Sequence, residues 1–250
     1  MPIACDIELS PIEQERFHAI DRVVMGHAFD IHNMLGRFCD ERVYQEELAQ
    51  RCRVSGFKVH REVSLRAQYQ DFAKPYFLDM LVECGVIYEL KAVERLNSSH
   101  QQQLINYLLL AGVNHGKLVN FRRDSVESRF ASTHLNSHDR TGFRVIDKDW
   151  QGDDDASRRL RDTISAMLAD LGVFLDIHLY QDALLHFLGG QDAGVQNVNI
   201  QVDCRVLGTQ KMCLLKPGTA WHISAIRQRP VFYEMHLARL LRHTCLERLQ

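Results

Sequence analysis

Apolar positions recur at helical spacing through residues 11–35, where Ile20, Val23, Val24, Ala28, Ile31, Met34 and Leu35 share a face and Gly36 follows as a stop. The pattern predicts an amphipathic helix. Val43, Tyr44, Glu47, Leu48 and Cys52 predict a second one from Asp40 to Arg53, ended by Gly56. The period then falls to two: Phe57, Val59, Val63 and Leu65 alternate as in a strand or a strand pair, before a polar turn at 70–74. FLDMLVECGVIYELKAVERL, residues 77–96, reads as two strands about a turn. SSHQQQLINYLLLAG reads as a helix capped by Ser98 or Ser99, with Leu104, Tyr107, Leu108 and Ala111 inward and Gly112 closing it. KLVNF, Lys117 to Phe121, is a short apolar strand. Strand, helix and strand in so short a span predict a right-handed βαβ crossover, hence an α/β sheet flanked by helices.

The pattern weakens after Phe121. Residues 122–155 are polar and irregular, with RRDSVESR, HLNSHDR and QGDDD, and predict a linker or elaborated loop. Ala156–Leu171 and Leu179–Leu188 have helical spacing, and VQNVNIQVDCRVL alternates from Val195. KMCLL and AWHISAI predict two further strands set off by LGTQ and KPGT turns, and VFYEMHLARLLRHTCLERLQ predicts a final helix. The expected organisation is therefore a domain over 1–121, a connecting stretch over 122–155 and an α+β region over 156–250 to which the sequence assigns no role.

Composition narrows the function classes. The 250 residues are 46% apolar and 25% charged, ordinary for a folded domain, and the net charge of -2 hides no basic block in either half, with 13 basic against 16 acidic residues up to Phe121 and 17 against 16 after it. Any nucleic-acid contact must come from a local patch rather than from the overall field. Seven cysteines, an odd number without a repeated CxxC, fit a reducing compartment. Cys204, Cys213 and His222 contain no tight ligand pair of the kind structural zinc sites use. The start, MPIACDIELSPIEQERF, has neither a basic lead nor a long apolar core, and no apolar run approaches the roughly 20 residues that span a bilayer. A soluble cytoplasmic protein without a membrane partner is expected, with homo-oligomers left open. The arginines Arg158, Arg159, Arg161, Arg239 and Arg242 read as solvated helix faces, although such positions can grip phosphates.

Chemistry concentrates in FLDMLVECGVIYELKAVERL. If ECG, Glu83–Gly85, is a three-residue hairpin loop with Gly85 supplying the positive φ, Val82 pairs with Val86, Leu81 with Ile87 and Met80 with Tyr88. Asp79 then falls across from Glu89, and Lys91 shares the face of Glu89. Two carboxylates about 4 Å apart at an effective dielectric near 20 repel by about 4 kcal/mol. Mg²⁺ is the economical compensation, since it binds through one or two carboxylates and takes the rest of its shell from water and substrate phosphate. The competing reading is an ordinary salt bridge of Lys91 on a half-solvated sheet face.

Asp79, then Glu89-Leu90-Lys91, then a helix bearing Gln103 resembles the core of the PD-(D/E)XK nuclease superfamily. IHNMLGRFCDERVYQEELAQRC, YFLDMLVECGVIYELKAVERL and HQQQLINYLLLAGVNHGKLVNF resemble more narrowly the GxxExxY proteins, a branch of it, over about Val23 to Phe121. The resemblance implies a restriction-endonuclease-like mixed sheet flanked by helices, with a C-terminal α+β extension. It also implies a Mg²⁺- or Mn²⁺-dependent nuclease acting on nucleic acid, DNA ahead of RNA with RNA left open, or else a non-catalytic binding module that keeps the fold. By the same resemblance Asp79 and Glu89 are metal ligands, Lys91 is the catalytic lysine, and Glu41 is the acidic residue that approaches the metal. Gln103 is the helix glutamine beside the site, with Tyr107 and Tyr44 on the substrate side, core packing being the competing reading of both tyrosines. One departure is evident: Phe38 stands where the family has its glycine, which implies an altered approach of the Glu41 helix. The position before Asp79 is Leu78 rather than proline.

Overall fold

The computed structural model describes residues 3–147, 150, 152, 154–190, 194–226 and 230–250. Two compact units are present, Met1–Gly142 with Leu171–Asp176, and Phe143–Asp170 with Ile177–Gln250.

The first unit is built on a six-stranded mixed sheet in chain order: β1 (Ile3–Cys5), β2 (Val59–Tyr69), β3 (Phe72–Val82), β4 (Val86–Lys91), β5 (His115–Asn120) and β6 (Glu127–Ser132). All neighbours run antiparallel except β4 and β5, which are parallel and joined through α3 (Ser98–Ala111). This is the expected βαβ crossover in a mixed sheet flanked by helices, an arrangement consistent with a restriction-endonuclease-like fold. Alternation along β4 divides its side chains between two layers. Val86, Tyr88 and Leu90 join Met80 and Val82 in a core with α1 (Gln14–Leu35) and α2 (Glu41–Val54), which contribute Phe17, Ile20, Val24, Ala28, Ile31, Tyr44 and Leu48. Across the sheet, α3 sets Leu104 and Leu108 against Gly116, where a Cβ would come within 2.8 Å of the Ile87 carbonyl oxygen.

In the first unit, two local readings of the sequence need correction. In the β3–β4 hairpin the loop is Glu83–Gly85 and the register is as expected, but the positive φ angles belong to Glu83 (52°) and Cys84 (56°), not to Gly85. Gly85 is required for another reason. A Cβ there would lie 2.2 Å from the Ser10 carbonyl oxygen and 2.5 Å from Ile12 Cγ1, because residues 10–12 run over the turn, with Ser10 N–H donating to the Cys84 carbonyl at 2.9 Å. Within the 122–155 stretch, Glu127–Ser132 forms the edge strand β6 and Ser137–Thr141 forms α4. Only Ala131 of β6 is buried, so its sequence, ESRFAS, carries almost no apolar signal, as suits an edge that water must cover.

The second unit combines α5 (Asp155–Leu171), α6 (Ile177–Phe187) and α7 (Pro230–Arg242) with a four-stranded sheet ordered β10-β9-β8-β7. Its long hairpin, β7 (Val195–Val202) and β8 (Arg205–Lys216), turns at Asp203 and Cys204, both at positive φ. LGTQ, expected as a turn, therefore lies inside β8, while KPGT does turn, at Gly218. The short strands β9 (Thr219–Trp221) and β10 (Arg248–Leu249) complete the sheet. Arg158 and Arg161 pair with Asp155 and Asp162, the solvated-face reading of those arginines.

Candidate functional site

The site begins where the backbone pairing of β3 fails. The β2–β3 register continues unchanged from Arg61↔Met80 to Val63↔Leu78, yet the intervening Glu62 and Asp79 do not pair. Glu62 has a φ of 49°, a left-handed conformation that costs a non-glycine residue about 1–3 kcal/mol and that clusters at functional positions. On the other side the β3–β4 ladder stops at Met80↔Tyr88, one step short of the expected Asp79–Glu89 pair. Asp79 is thus freed from its neighbours on both sides. Its backbone carbonyl accepts from Gln45 Nε2 at 2.7 Å, and its Oδ2 accepts from the Leu90 backbone N–H at 2.8 Å. The carboxylate replaces a carbonyl in the ladder and is held next to Glu89.

Glu89 is only 1% exposed. Its Oε1 accepts from Lys91 Nζ at 2.5 Å, while Oε2 is buried and has no hydrogen-bond partner. Burial and then the Asp79 charge push its carboxyl up to about 8. Asp79 is pushed up to about 6, chiefly by burial, with Lys91 and the Leu90 N–H opposing and Glu41 and Glu62 adding to the rise. Burial lowers the Lys91 ammonium, but the Glu89 carboxylate beside it outweighs this and the net shift is upward. A buried carboxylate oxygen without a partner beside a second carboxylate is a group short of positive charge.

Glu41, the first residue of α2, lines a cleft of about 430 Å³ with Asp40, Arg42, Gln45, Glu62 and Asp79. Phe38 does not displace it, because the Phe38 ring turns to solvent, 76% exposed. Among the described residues no three His, Cys, Asp or Glu side chains converge as a closed metal cage, so Glu41 forms a wall of the site rather than a ready third ligand. Asp79 and Glu89 are the carboxylates that could hold a cation here, with Glu41 on the wall of the cleft.

The remaining expected residues divide. Gln103 donates from Nε2 to the Tyr107 hydroxyl at 3.0 Å, and the Glu89 charge reaches Tyr107, so α3 brings both to the site. Tyr107 is buried and meets Tyr76 edge to face at 6.2 Å. Tyr44 is not brought to the cleft. It is fully buried and stacked on Phe121 at 4.4 Å, with its hydroxyl donating to the Gly36 carbonyl at 2.8 Å and accepting from Cys39 N–H at 3.1 Å. It ties down the segment that carries Glu41.

Three residues escaped the sequence. Gln45 clasps Asp79 and also donates to Glu62 Oε1 at 2.9 Å while its Oε1 accepts from Arg61 Nη2 at 3.2 Å. A signal existed, since Gln45 falls on the apolar stripe with Leu48, Ala49 and Cys52. Glu62 occupied an ordinary polar strand position and gave none. His100 completes a capping box with Asn97, and its ring is lowered by burial and by Lys91, with Glu41 opposing. No helix among the described residues is long and apolar enough to cross a membrane. No curated protein and no solved structure matches the chain. Residues 18–131, which span α1 through β6 and carry every element of this site, match the model of the PD-(D/E)XK nuclease superfamily, and the match supports a nuclease-type activity.

Proposed function

We propose that the chain is a divalent-metal-dependent nuclease that hydrolyses phosphodiester bonds, with DNA as substrate and Mg²⁺, or Mn²⁺ in its place, as the cation. The observation that carries this reading is the buried, unpartnered Glu89 Oε2 beside Asp79 and Lys91. Asp79 and Glu89 would hold the cation, with Glu41 supporting it through water. A cation there supplies Lewis acidity at a phosphate oxygen and a water acidic enough to attack near neutral pH. Lys91 then turns from Glu89 to the phosphoryl oxygens and offsets the charge that grows on them. Gln103, its Nε2 fixed on Tyr107, presents Oε1 as an acceptor for a proton of the attacking water. Tyr107 acts through Gln103, and Tyr44 through the segment before Glu41. The ordered motifs favour the GxxExxY branch, and the unpaired cysteines favour a cytoplasmic location.

The test is incubation of the protein with single- and double-stranded DNA and RNA in Mg²⁺, Mn²⁺ or EDTA, beside Lys91→Ala. Cleavage that needs metal and Lys91 is expected; none in any combination refutes the reading. A second reading, a non-catalytic nucleic-acid- or protein-binding module, is favoured by the Lys91 ammonium lying against Glu89 without a three-ligand cage. Calorimetric titration with Mg²⁺ or Mn²⁺ separates the two, since such a module has no use for cation uptake by Asp79 and Glu89.

A further inference from the structure

A second cleft, of about 540 Å³, opens between the segment that leaves β4 and the segment that leaves β5, lined by Arg95, Leu96, Arg123, Ser125 and Arg129 among others. These segments follow the carboxyl ends of the two parallel strands, the edge at which open α/β sheets bind ligands. Lys91 ends β4, so Arg95 is four residues away and within roughly 14 Å even with the chain extended. The charges of Lys91, Glu41 and Arg129 all act on the His100 ring, so residues of the cleft and of the carboxylate site share one electrostatic neighbourhood.

The cleft is pre-formed. Asn120, fully buried, receives Val93 N–H at 3.0 Å and donates to the Val93 carbonyl at 2.7 Å, stapling the 92–97 segment to β5. Arg129 Nη2 donates to the Leu96 carbonyl at 2.9 Å, and His32 Nε2 bonds the Arg123 carbonyl oxygen at 2.9 Å. Each guanidinium has five N–H donors, and these contacts use few of them. Of the acidic residues on the wall, Asp124 is paired with Arg37 and Glu127 with Arg129, which leaves Arg95 and Arg123 without ionic partners among the described residues. Charge without a local partner in a rigid groove is what phosphates attract.

The segment from Arg37 to Glu41 connects this cleft to the acidic one. Arg37 holds Asp124 on the arginine wall, Asp40 and Glu41 line the carboxylate cleft, and Phe38 lies between them along the chain, its exposed ring 5.0 Å from the Arg37 guanidinium. An exposed aromatic ring between a phosphate-gripping groove and a cleavage site is a stacking platform for an unpaired base. A paired base would offer it only an edge.

We infer that Arg95, Arg123, Arg129 and Phe38 form a subsite for a single-stranded DNA segment, the arginines taking its phosphates and Phe38 stacking a base, one to a few nucleotides from the bond that is cut. This rests on the nuclease reading of the adjoining carboxylate site. The departure at Phe38 becomes a device for choosing unpaired substrate.

The test uses the full chain in a Lys91→Ala background and fluorescence anisotropy with a labelled single-stranded DNA oligonucleotide and the matching duplex, over a range of salt. Arg95→Ala and Arg123→Ala should each weaken single-strand binding about fivefold or more and flatten the log–log salt slope by about 0.7. Phe38→Ala should weaken it about tenfold and leave the slope unchanged. Thermal melts confirm that the variants, all at exposed positions, remain folded. Affinities equal to the parent's, no single-strand binding by the parent, or a tighter duplex with the same dependence would overturn the subsite. Wild-type cleavage is assayed in parallel. Cleavage with unchanged binding in all three variants sinks the subsite alone, whereas variant-dependent binding without metal-dependent cleavage sinks the nuclease reading and leaves the subsite standing.

Discussion

Glu89 and Asp79 sit at the centre of the energetics because each is a carboxyl whose charged form the fold disfavours. Their folded pKa values, about 8 and about 6, lie above those of the unfolded chain. The sign of the pH dependence follows: the stability associated with protonated carboxyls is present below pH ~4 and is lost as pH rises through about 6 and then about 8. In EDTA the melting temperature should therefore fall between about pH 4 and pH 8, and Glu89→Gln, neutral at every pH, should flatten that fall. Saturating Mg²⁺ should restore melting temperature most at the alkaline end, because the cation binds the carboxylate form. A melting temperature that rises with pH in EDTA would show that the pair is not buried with too little positive charge.

At the scale of elements, the site depends on how strands are interrupted. Gln45 spans α2 and the gap between Glu62 and Asp79, so Gln45→Ala removes three hydrogen bonds from buried or half-buried groups. It should cost about 1–3 kcal/mol in chemical denaturation and weaken Mg²⁺ uptake in calorimetry, while Gln45→Glu should not rescue it because the carbonyl of Asp79 then lacks a donor. The hairpin loop carries a separate constraint. Gly85→Ala drives a Cβ into the Ser10 carbonyl and Ile12, a backbone collision that cannot be relieved by a rotamer, and should destabilise by about 1–3 kcal/mol without changing metal affinity per folded molecule. The same elements show why the site was partly legible. Alternation and a three-residue loop were enough to place Asp79 near Glu89. They could not reveal that the ladder opens there, since Glu62 looks like any outward strand residue.

At the scale of the whole molecule, the first unit is not a simple N-terminal piece. Leu171–Asp176 belongs to it: Val173 N–H donates to the Arg140 carbonyl at 2.8 Å, and Asp176 N–H donates to Asn106 Oδ1 at 2.9 Å, which gives the buried Asn106 on α3 a partner. A fragment of residues 1–176 should melt cooperatively and keep the Mg²⁺ affinity of the full chain, whereas 1–142 should melt lower, with Asn106 left unsatisfied. Differential scanning calorimetry of the two fragments checks this. The second unit has no expected effect on cation uptake, and its Arg158 and Arg161, paired with Asp155 and Asp162, are not expected to change single-strand affinity.

Local sequence alone determined the elements whose periods are clean: the helices α1, α2 and α3, the β3–β4 register, the βαβ crossover, and the spacing of Asp79, Glu89, Lys91 and Gln103. These follow from side-chain direction, which period and turn length dictate over a few residues. Tertiary structure decided the rest. It separated Tyr44, which the resemblance put on the substrate side, from the site by stacking it on Phe121 just past the end of β5. It brought Gln45 and Glu62 to Asp79, and it set Arg95 and Arg123 along the segments that leave β4 and β5. Partners such as Gln45 and Asp79, or Asn120 and Val93, are 34 and 27 residues apart, and no period or turn encodes a hydrogen bond at that separation. Only packing the helices onto the sheet brings such groups within reach.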